Sequence, residues 1–163
     1  MTILRTRTRL LACCVLASLA GCASAPLASP EEDAASKTFA PPPEGKAGLY
    51  VFRNHWLGQA LIKTVYLDGQ PIGDTGNKVF LHRFVEPGPH KLSSESEFGN
   101  NDLEWTAVAG ENHFFRQYIK MGVFSGGSNL EAVGAEEGKK EVLECKLGRS
   151  EEHTSELQSP CNL

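Results

Sequence analysis

Few of the residue patterns that catalysis and metal binding require occur in this sequence. It contains five cysteines and five histidines, but it has no C-x-x-C pair and no H-E-x-x-H, H-x-H or H-x₃-H spacing. It also lacks a G-x-S-x-G elbow, so a nucleophile or a metal site would have to be assembled in space. We therefore predict no catalytic residue, no metal and no cofactor, and a protein that is not an enzyme.

Positive charge and long apolar runs are also scarce. The 16 basic residues are outnumbered by 20 acidic ones, which gives a formal charge of −4 and argues against nucleic acid as a partner. The most apolar stretch, residues 10–19, is about ten residues long, roughly half of what a transmembrane helix needs. That length matches the apolar core of a secretory signal peptide.

The first 21 residues have the features of a lipoprotein signal peptide. A basic segment with three arginines precedes the apolar run, and Leu19-Ala20-Gly21-Cys22 follows it. Small residues before a cysteine at this place resemble the bacterial lipobox, in which the cysteine is acylated and becomes the mature N-terminus. We therefore predict a signal peptide over 1–21, lipidation at Cys22 and an anchor in the membrane. Alanine rather than aspartate follows the cysteine, which by resemblance to the sorting rule of enteric bacteria favours the periplasmic face of the outer membrane.

Residues 22–45 are predicted to form a disordered tether. Alanine, serine and proline dominate, with the acidic group Glu31-Glu32-Asp33 and the proline triplet 41–43. So few large apolar residues cannot offset the entropy of ordering the chain, and the triplet favours a stiff extended spacer. We expect this segment to hold the domain at a distance from the lipid surface.

Residues 46–147 carry the pattern of a small β domain. Alternating apolar runs are separated by turn signals, of which Asp68-Gly69 and Pro87-Gly88 are the clearest. The pattern predicts a mainly β fold, an antiparallel β-sandwich of about seven strands. After residue 135 the period changes and predicts a short C-terminal helix, or alternatively a last strand through Val142, Glu144 and Lys146. The predicted strands are 48–53, 61–67, 78–85, 90–93, 103–108, 113–123 and 130–133.

The C-terminal end of the sequence has an unusual origin. Residues 149–159 resemble the in-frame translation of a common sequencing adapter, and residues 160–163 look like its continuation. We therefore interpret 148–163 as an artefactual or disordered tail. This interpretation removes Cys161, and with it a disulfide to Cys145, from consideration.

Two groups of residues are candidates for binding. Trp56 lies in a loop with Arg53 and His55, and together they would form a platform for a sugar, a peptide or a protein; alternatively, the indole folds back onto the core. His82 and His90 flank one hairpin and would approach each other across it. The alternative for this pair is two partly exposed histidines on a sheet.

The strands and turns also carry a family resemblance. The elements are residues 48–53, the run Val65-Tyr66-Leu67-Asp68-Gly69 with Ile72-Gly73, and Pro87-Gly88 with His90 and Leu92. Over about residues 46–147 they resemble a bacterial lipoprotein family labelled domain of unknown function 2846, and they are also similar to PEGA-type surface β domains. The resemblance implies a fold and a location, and no catalytic residue.

These observations favour a lipid-anchored envelope protein whose β domain is a non-catalytic binding or scaffolding module. Its partner would be an envelope protein or peptidoglycan. The alternative is a periplasmic hydrolase in which histidines and carboxylates from separate strands meet in one cleft.

Overall fold

The computed structural model of the chain describes residues 24–96, 101–120 and 127–149. Within these ranges the chain forms nine strands and two helices, so the predicted mainly β class with a short C-terminal helix is confirmed. The helices are α1 (Pro30–Ser36) and α2 (Ala135–Leu143). The strands are β1 (Ala47–Arg53), β2 (Lys63–Leu67), β3 (Gln70–Thr75), β4 (Val79–Val85), β5 (Gly88–Ser94), β6 (Leu103–Ala107), β7 (Asn112–Lys120), β8 (Gly127–Val133) and β9 (Lys146–Leu147).

The strands form two sheets. The first has five strands in the order β8-β7-β1-β4-β9, and the second has four in the order β3-β2-β5-β6. The predicted antiparallel sandwich contains two parallel pairs, because β1 pairs with β7 and β4 pairs with β9 in parallel. The chain builds β5 and β6 in the second sheet before it returns beside β1, and alternation along one strand does not reveal which partner it will meet.

Two strands exceed the predicted seven. Strand β3 follows a turn in which Asp68 and Gly69 have φ of 51° and 81°, the geometry of a tight hairpin turn. Pro71 and Gly73 weaken the strand signal of β3, and the edge position of this strand accommodates both. Strand β9 has two residues, too few for a period to be visible.

The main core lies between the sheets. Alternate residues of each strand point toward the opposite sheet, and β1 and β4 supply the centre of the first sheet. The buried members of this cluster are Ala47, Leu49, Val51, Val65, Ile72, Leu81, Val85, Leu92, Ala107, Phe115 and Leu130.

A second core covers the outer face of the first sheet. Tyr50, Phe52, Phe80 and Phe114 point away from the main core and pack under α2. This packing buries β1 on both faces. Cys145, next to α2, is a free and buried thiol, and burial raises its pKa to about 12. It therefore packs as a small apolar side chain.

The prediction of a disordered tether over 22–45 is wrong for its described part. Residues 24–45, here called the strap, run along the first sheet: Leu27 pairs with Gly148, and Ala28 N donates to Leu147 O at 2.9 Å. Helix α1 then begins with a capping box in which Ser29 and Glu32 bond each other's backbone N–H. Composition does not reveal that the strap pairs with the sheet, because its partners, Leu147 and Gly148, lie near the other end of the chain.

The other predicted segments are described only in part. Gly148 and Arg149 belong to the fold, because Gly148 N donates to Phe80 O and Arg149 N donates to Pro26 O, each at 2.7 Å. The predicted tail therefore begins later than residue 148. The predicted signal peptide 1–21, Cys22 and residues 150–163 lie outside the described residues.

Candidate functional site

The strap and the outer face of the first sheet enclose a cavity of about 360 Å³. Alanines of the strap form one wall, and aromatic rings of β1 and β4 form the other. We call this space the strap cavity. Its lining residues are Ala28, Glu32, Ala35, Ser36, Thr38, Ala40, Tyr50, His82, Arg83, Phe84, Leu147 and Gly148.

Charged groups at the end of α1 fix the strap in place. Asp33 accepts a hydrogen bond from Leu147 N at 2.7 Å and one from Lys37 Nζ at 2.8 Å. Lys37 Nζ also donates to Cys145 O at 2.6 Å. Because these groups are largely withdrawn from water, their bonds are worth more than those of exposed pairs. The contacts of Asp33 and Lys37 thus join the strap to the residues around α2 and β9.

The strap ends in a tight aromatic contact. Phe39 adopts a positive φ of 52°, uncommon for a bulky residue. Its ring lies 5.6 Å from Tyr50 and 6.0 Å from Phe114. Asn112 Nδ2 donates to Phe39 O and Ala40 O, each at 3.2 Å. The strap is therefore held at its start, along α1 and at its end.

His82 is a half-buried titratable group that lines the strap cavity. Its ring stacks on Tyr50 at 4.2 Å and meets the edge of Phe84 at 4.9 Å. Nδ1 lies 3.1 Å from Ser36 Oγ, while Nε2 is buried with no hydrogen-bond partner among the described residues. Burial lowers the pKa of His82 to about 4. The imidazole is therefore neutral near pH 7, and one of its ring nitrogens is left without a partner among the described residues.

His82 and His90 lie on different sheets and are each partly exposed, which agrees with the alternative of two separate histidines. Strand β4 belongs to the first sheet and β5 to the second, so the hairpin-like turn between them crosses from sheet to sheet. His90 Nδ1 lies 2.6 Å from Asp68 Oδ2, and Nε2 lies 2.8 Å from Glu86 O. Desolvation acts to lower the pKa of His90, but these two acceptors outweigh it and the net pKa is raised.

A row of rings continues from His90. Trp105 lies 5.5 Å from His90 and 5.0 Å from His113, and His113 Nε2 accepts a hydrogen bond from Val108 N at 3.0 Å. Both ring nitrogens of His90 are also engaged, by Asp68 and a backbone carbonyl. Because a general base needs a free ring nitrogen, the observed arrangement does not leave His90 free to act as one.

The three residues of the predicted platform, Trp56, His55 and Arg53, do not lie together in the structure. Trp56 is 73% exposed, so the alternative that it folds onto the core is wrong. Its ring lies 5.7 Å from His55, whose Nδ1 accepts from Leu57 N at 3.1 Å. Arg53, in contrast, is 0% exposed and points into the sandwich. The structure therefore brings together two of the three residues.

The strap residues are the part of the site that sequence reasoning missed. Ser36 and Asp33 contact the sheet, yet composition assigned them to a tether. A signal was present in the Ser29-Pro30-Glu31-Glu32 run, which is a helix start with proline at the first position.

Among residues 24–96, 101–120 and 127–149, no cluster of three His, Cys, Asp or Glu side chains is arranged to hold a metal ion. Over the same residues, no helix combines the length and the apolar character that crossing a bilayer requires.

Comparison with known proteins places the chain in a family. The family model described as "Protein of unknown function (DUF2846)" matches residues 43–128. A protein of Haemophilus influenzae, described as an uncharacterized protein, is 45% identical over 132 residues, which cover 81% of this chain and 79% of the relative. No solved structure matches the chain. The predicted resemblance is thus confirmed, and the chain belongs to the DUF2846 family.

Proposed function

We propose that this DUF2846 protein is a lipid-anchored envelope protein whose β domain is a non-catalytic binding or scaffolding module. The observation that carries the proposal is Leu19-Ala20-Gly21-Cys22 after a basic segment and a short apolar run. Acylation of Cys22 would hold the protein on the periplasmic face of the outer membrane. The partner would be an envelope protein or peptidoglycan.

The position of the strap favours a domain that is held close to the lipid surface. Leu27, the first paired residue, follows Cys22 by five positions. Even fully extended, such a segment spans at most about 18 Å. An anchored Cys22 would therefore keep the strap end of the first sheet near the membrane, instead of giving the long reach that a disordered tether would provide.

The strap cavity is the binding site that this geometry favours. It would lie on the membrane-proximal part of the domain, and it combines an apolar wall with polar side chains that include His82 and Ser36. Phe84 at its rim is about half exposed. A ligand with an apolar body and one hydrogen-bonding group fits this arrangement.

The hydrolase alternative gains no support from His82 or His90. His82 has no carboxylate within ion-pair distance among the described residues, and His90 uses both ring nitrogens. The His90–Asp68 pair also lies on the second sheet, away from the strap cavity.

Fractionation of cells that express a Cys22→Ala variant tests the anchor. We expect the wild-type protein in the membrane fraction as the processed form. We expect Cys22→Ala either to keep its signal peptide as an unprocessed precursor or to appear in the soluble fraction. Cys145→Ala is the matched control, because it removes a buried thiol and leaves the lipobox intact. Identical fractionation and processing of Cys22→Ala and wild type would refute the anchor.

Cross-linking in intact envelopes tests the binding role. Ala35 is exposed and lines the strap cavity, so Ala35→Trp fills the cavity from the strap side. We expect a cross-linked partner that is captured by the wild type and lost in Ala35→Trp. Glu31→Ala, on the same helix but outside the cavity, should retain it. Equal capture by Ala35→Trp would contradict this site.

A further inference from the structure

The interior of the sandwich becomes polar at one end. Six buried polar residues continue the main core: five lie two residues before or after a core residue on the same strand, and Thr75 pairs with Lys63, one of those five. They face the same interior because alternate residues of a strand share a face. We call this group the polar end; its members are Arg53, Lys63, Thr75, Ser94, Gln117 and Ser128.

The neutral members of the polar end satisfy one another. Thr75 Oγ1 donates to Gln117 Oε1, and Gln117 Nε2 donates to Ser94 Oγ. Ser94 Oγ lies 2.6 Å from Ser128 Oγ, which donates to Glu95 O at 2.7 Å. This chain of hydrogen bonds crosses between the sheets and explains how these side chains are buried without large cost.

The two cations of the polar end are not balanced in this way. Arg53 is 0% exposed; its Nη2 donates to Leu61 O, while Nε and Nη1 have no hydrogen-bond partner. These two nitrogens carry most of the guanidinium's N–H donors. Lys63 is 7% exposed. Across the described part of the chain, no carboxylate lies within ion-pair distance of either cation.

An unpaired buried cation is costly. Removing a charged group from water costs several kcal/mol unless a counter-charge or a full set of hydrogen bonds compensates. Burial also lowers the pKa of Arg53 to about 10, which still leaves the group charged near neutral pH. The folded protein thus holds a positive charge whose compensation is incomplete.

The loop of residues 54–62 covers Arg53. A Cβ at Gly58 would lie 2.8 Å from Ile119, so the loop is seated directly on β7. Asn54 Nδ2 donates to Glu141 at 2.7 Å and ties the loop's first residue to α2. Leu61 supplies the loop carbonyl that Arg53 binds. The loop therefore both shields the guanidinium and occupies one of its donors.

We propose that the polar end binds a small oxyanion, a carboxylate or a phosphate, on Arg53. The planar guanidinium presents paired N–H donors that match these anions. Entry requires loop 54–62 to move, because this loop covers the guanidinium, so binding changes the surroundings of Trp56 on that loop. The site is independent of the proposed lipid anchor.

Thermal unfolding of the full-length protein in detergent tests this site. We titrate sodium acetate and sodium phosphate separately against sodium chloride at matched ionic strength. A ligand that binds only the folded state raises Tm with its concentration. We expect at least one anion to raise Tm beyond the chloride response, and the comparison of acetate with phosphate identifies the class.

Substitutions assign the response to Arg53. Arg53→Met should remove the rise of Tm with the anion. Arg53→Lys keeps the positive charge but loses the paired N–H donors of the guanidinium, so it should weaken anion binding about tenfold or more. Arg116→Met is the matched control, because Arg116 is an arginine already paired with Glu131 and Glu137. If Arg53→Met does not fold, the Tm response of Arg53→Lys to the anion tests the proposal. A wild type with no response beyond chloride, or an Arg53→Lys response equal to wild type, overturns the proposal.

Discussion

Two histidines of this protein respond to pH in opposite directions because of where each one lies. His82 is enclosed between the strap and the first sheet, and burial lowers its pKa to about 4. His90 has acceptors on both nitrogens, and its pKa is raised. The unfolded chain has a histidine pKa of about 6.5 in both cases, so each residue contributes a separate pH dependence of the free energy of unfolding.

The first prediction concerns His82. Between about pH 4 and 6.5 the unfolded state binds more protons than the folded state, so stability falls as pH falls through this window. His82→Phe keeps an aromatic ring against Tyr50 and removes the proton. Between pH 7.5 and 5, we expect wild type to lose on the order of 2 kcal/mol more than His82→Phe in urea unfolding. His55→Phe, in the exposed loop, should behave as wild type; equal losses in all three would contradict this account.

The second prediction concerns His90 and Asp68. Because the folded-state pKa of His90 is raised, its contribution is complete below about pH 6.5 and is lost as pH rises through the folded-state value. We expect His90→Asn to cost about 0.5–1 kcal/mol at pH 5.5 and less at pH 8.5, as for partly exposed pairs. Asp68→Asn preserves the turn, since asparagine tolerates positive φ.

A double-mutant cycle supplies the control for that pair. If the His90–Asp68 contact is responsible, the double variant should cost less than the two single variants together at pH 5.5. Strict additivity, or a cost of His90→Asn that does not change with pH, would contradict the assignment.

At the scale of elements, the strap depends on Asp33. Asp33→Ala removes the acceptor of Leu147 N and the partner of Lys37, and leaving a largely buried N–H unpaired costs about 1–3 kcal/mol. We expect amide hydrogen exchange over residues 27–39 to rise about tenfold or more, while β1 and β4 stay protected. Glu31→Ala, exposed on the same helix, should leave exchange of the strap unchanged. Unchanged exchange in Asp33→Ala would show that the strap is held by other contacts.

Helix α2 contains a glycine whose role is packing. Alanine is the better helix former by about 1 kcal/mol, but a Cβ at Gly138 would overlap the Phe114 ring. Overpacking of this kind costs about 1–3 kcal/mol or more. We therefore expect Gly138→Ala to lower the urea midpoint, whereas Lys140→Ala, on the exposed side, should change it little. An increased midpoint for Gly138→Ala would mean that α2 shifts easily away from the sheet.

Local chemistry explains which elements are predictable. The Asp68-Gly69 turn follows from two residues that accept positive φ, and the alternating strands follow from a period of two. The parallel pairing of β1 with β7 and the docking of the strap on β9 join residues far apart in the chain. No local pattern encodes such partners, so the fold class is predicted and the topology is not.

In the candidate sites, too, contacts within one segment are predictable from the sequence, and contacts between distant segments are not. Trp56 and His55 are neighbours in one loop, and their association is visible in the sequence. Arg53 is two residues away from His55 but on the strand face that points inward, so proximity in sequence misassigns it to the surface. His82 became a cavity residue only because the strap covers it. Sites that need two distant segments cannot be derived from either segment alone.

For the whole molecule, anchoring and architecture are linked through the strap. If Cys22 is acylated, the strap holds the first sheet and its cavity close to the bilayer, while loop 54–62 and the polar end form a separate feature of the sandwich. The domain would then act at the membrane surface. This view depends on a single covalent event at one residue.

Mass spectrometry of the mature N-terminal peptide tests that event most directly. Protein purified from membranes is digested, and the peptide that contains residue 22 is identified. The account predicts a chain that begins at Cys22 and carries a diacylglyceryl group on Sγ, with a further acyl chain on the α-amino nitrogen. A mature chain that retains residues 1–21, or that contains an unmodified Cys22, would contradict it.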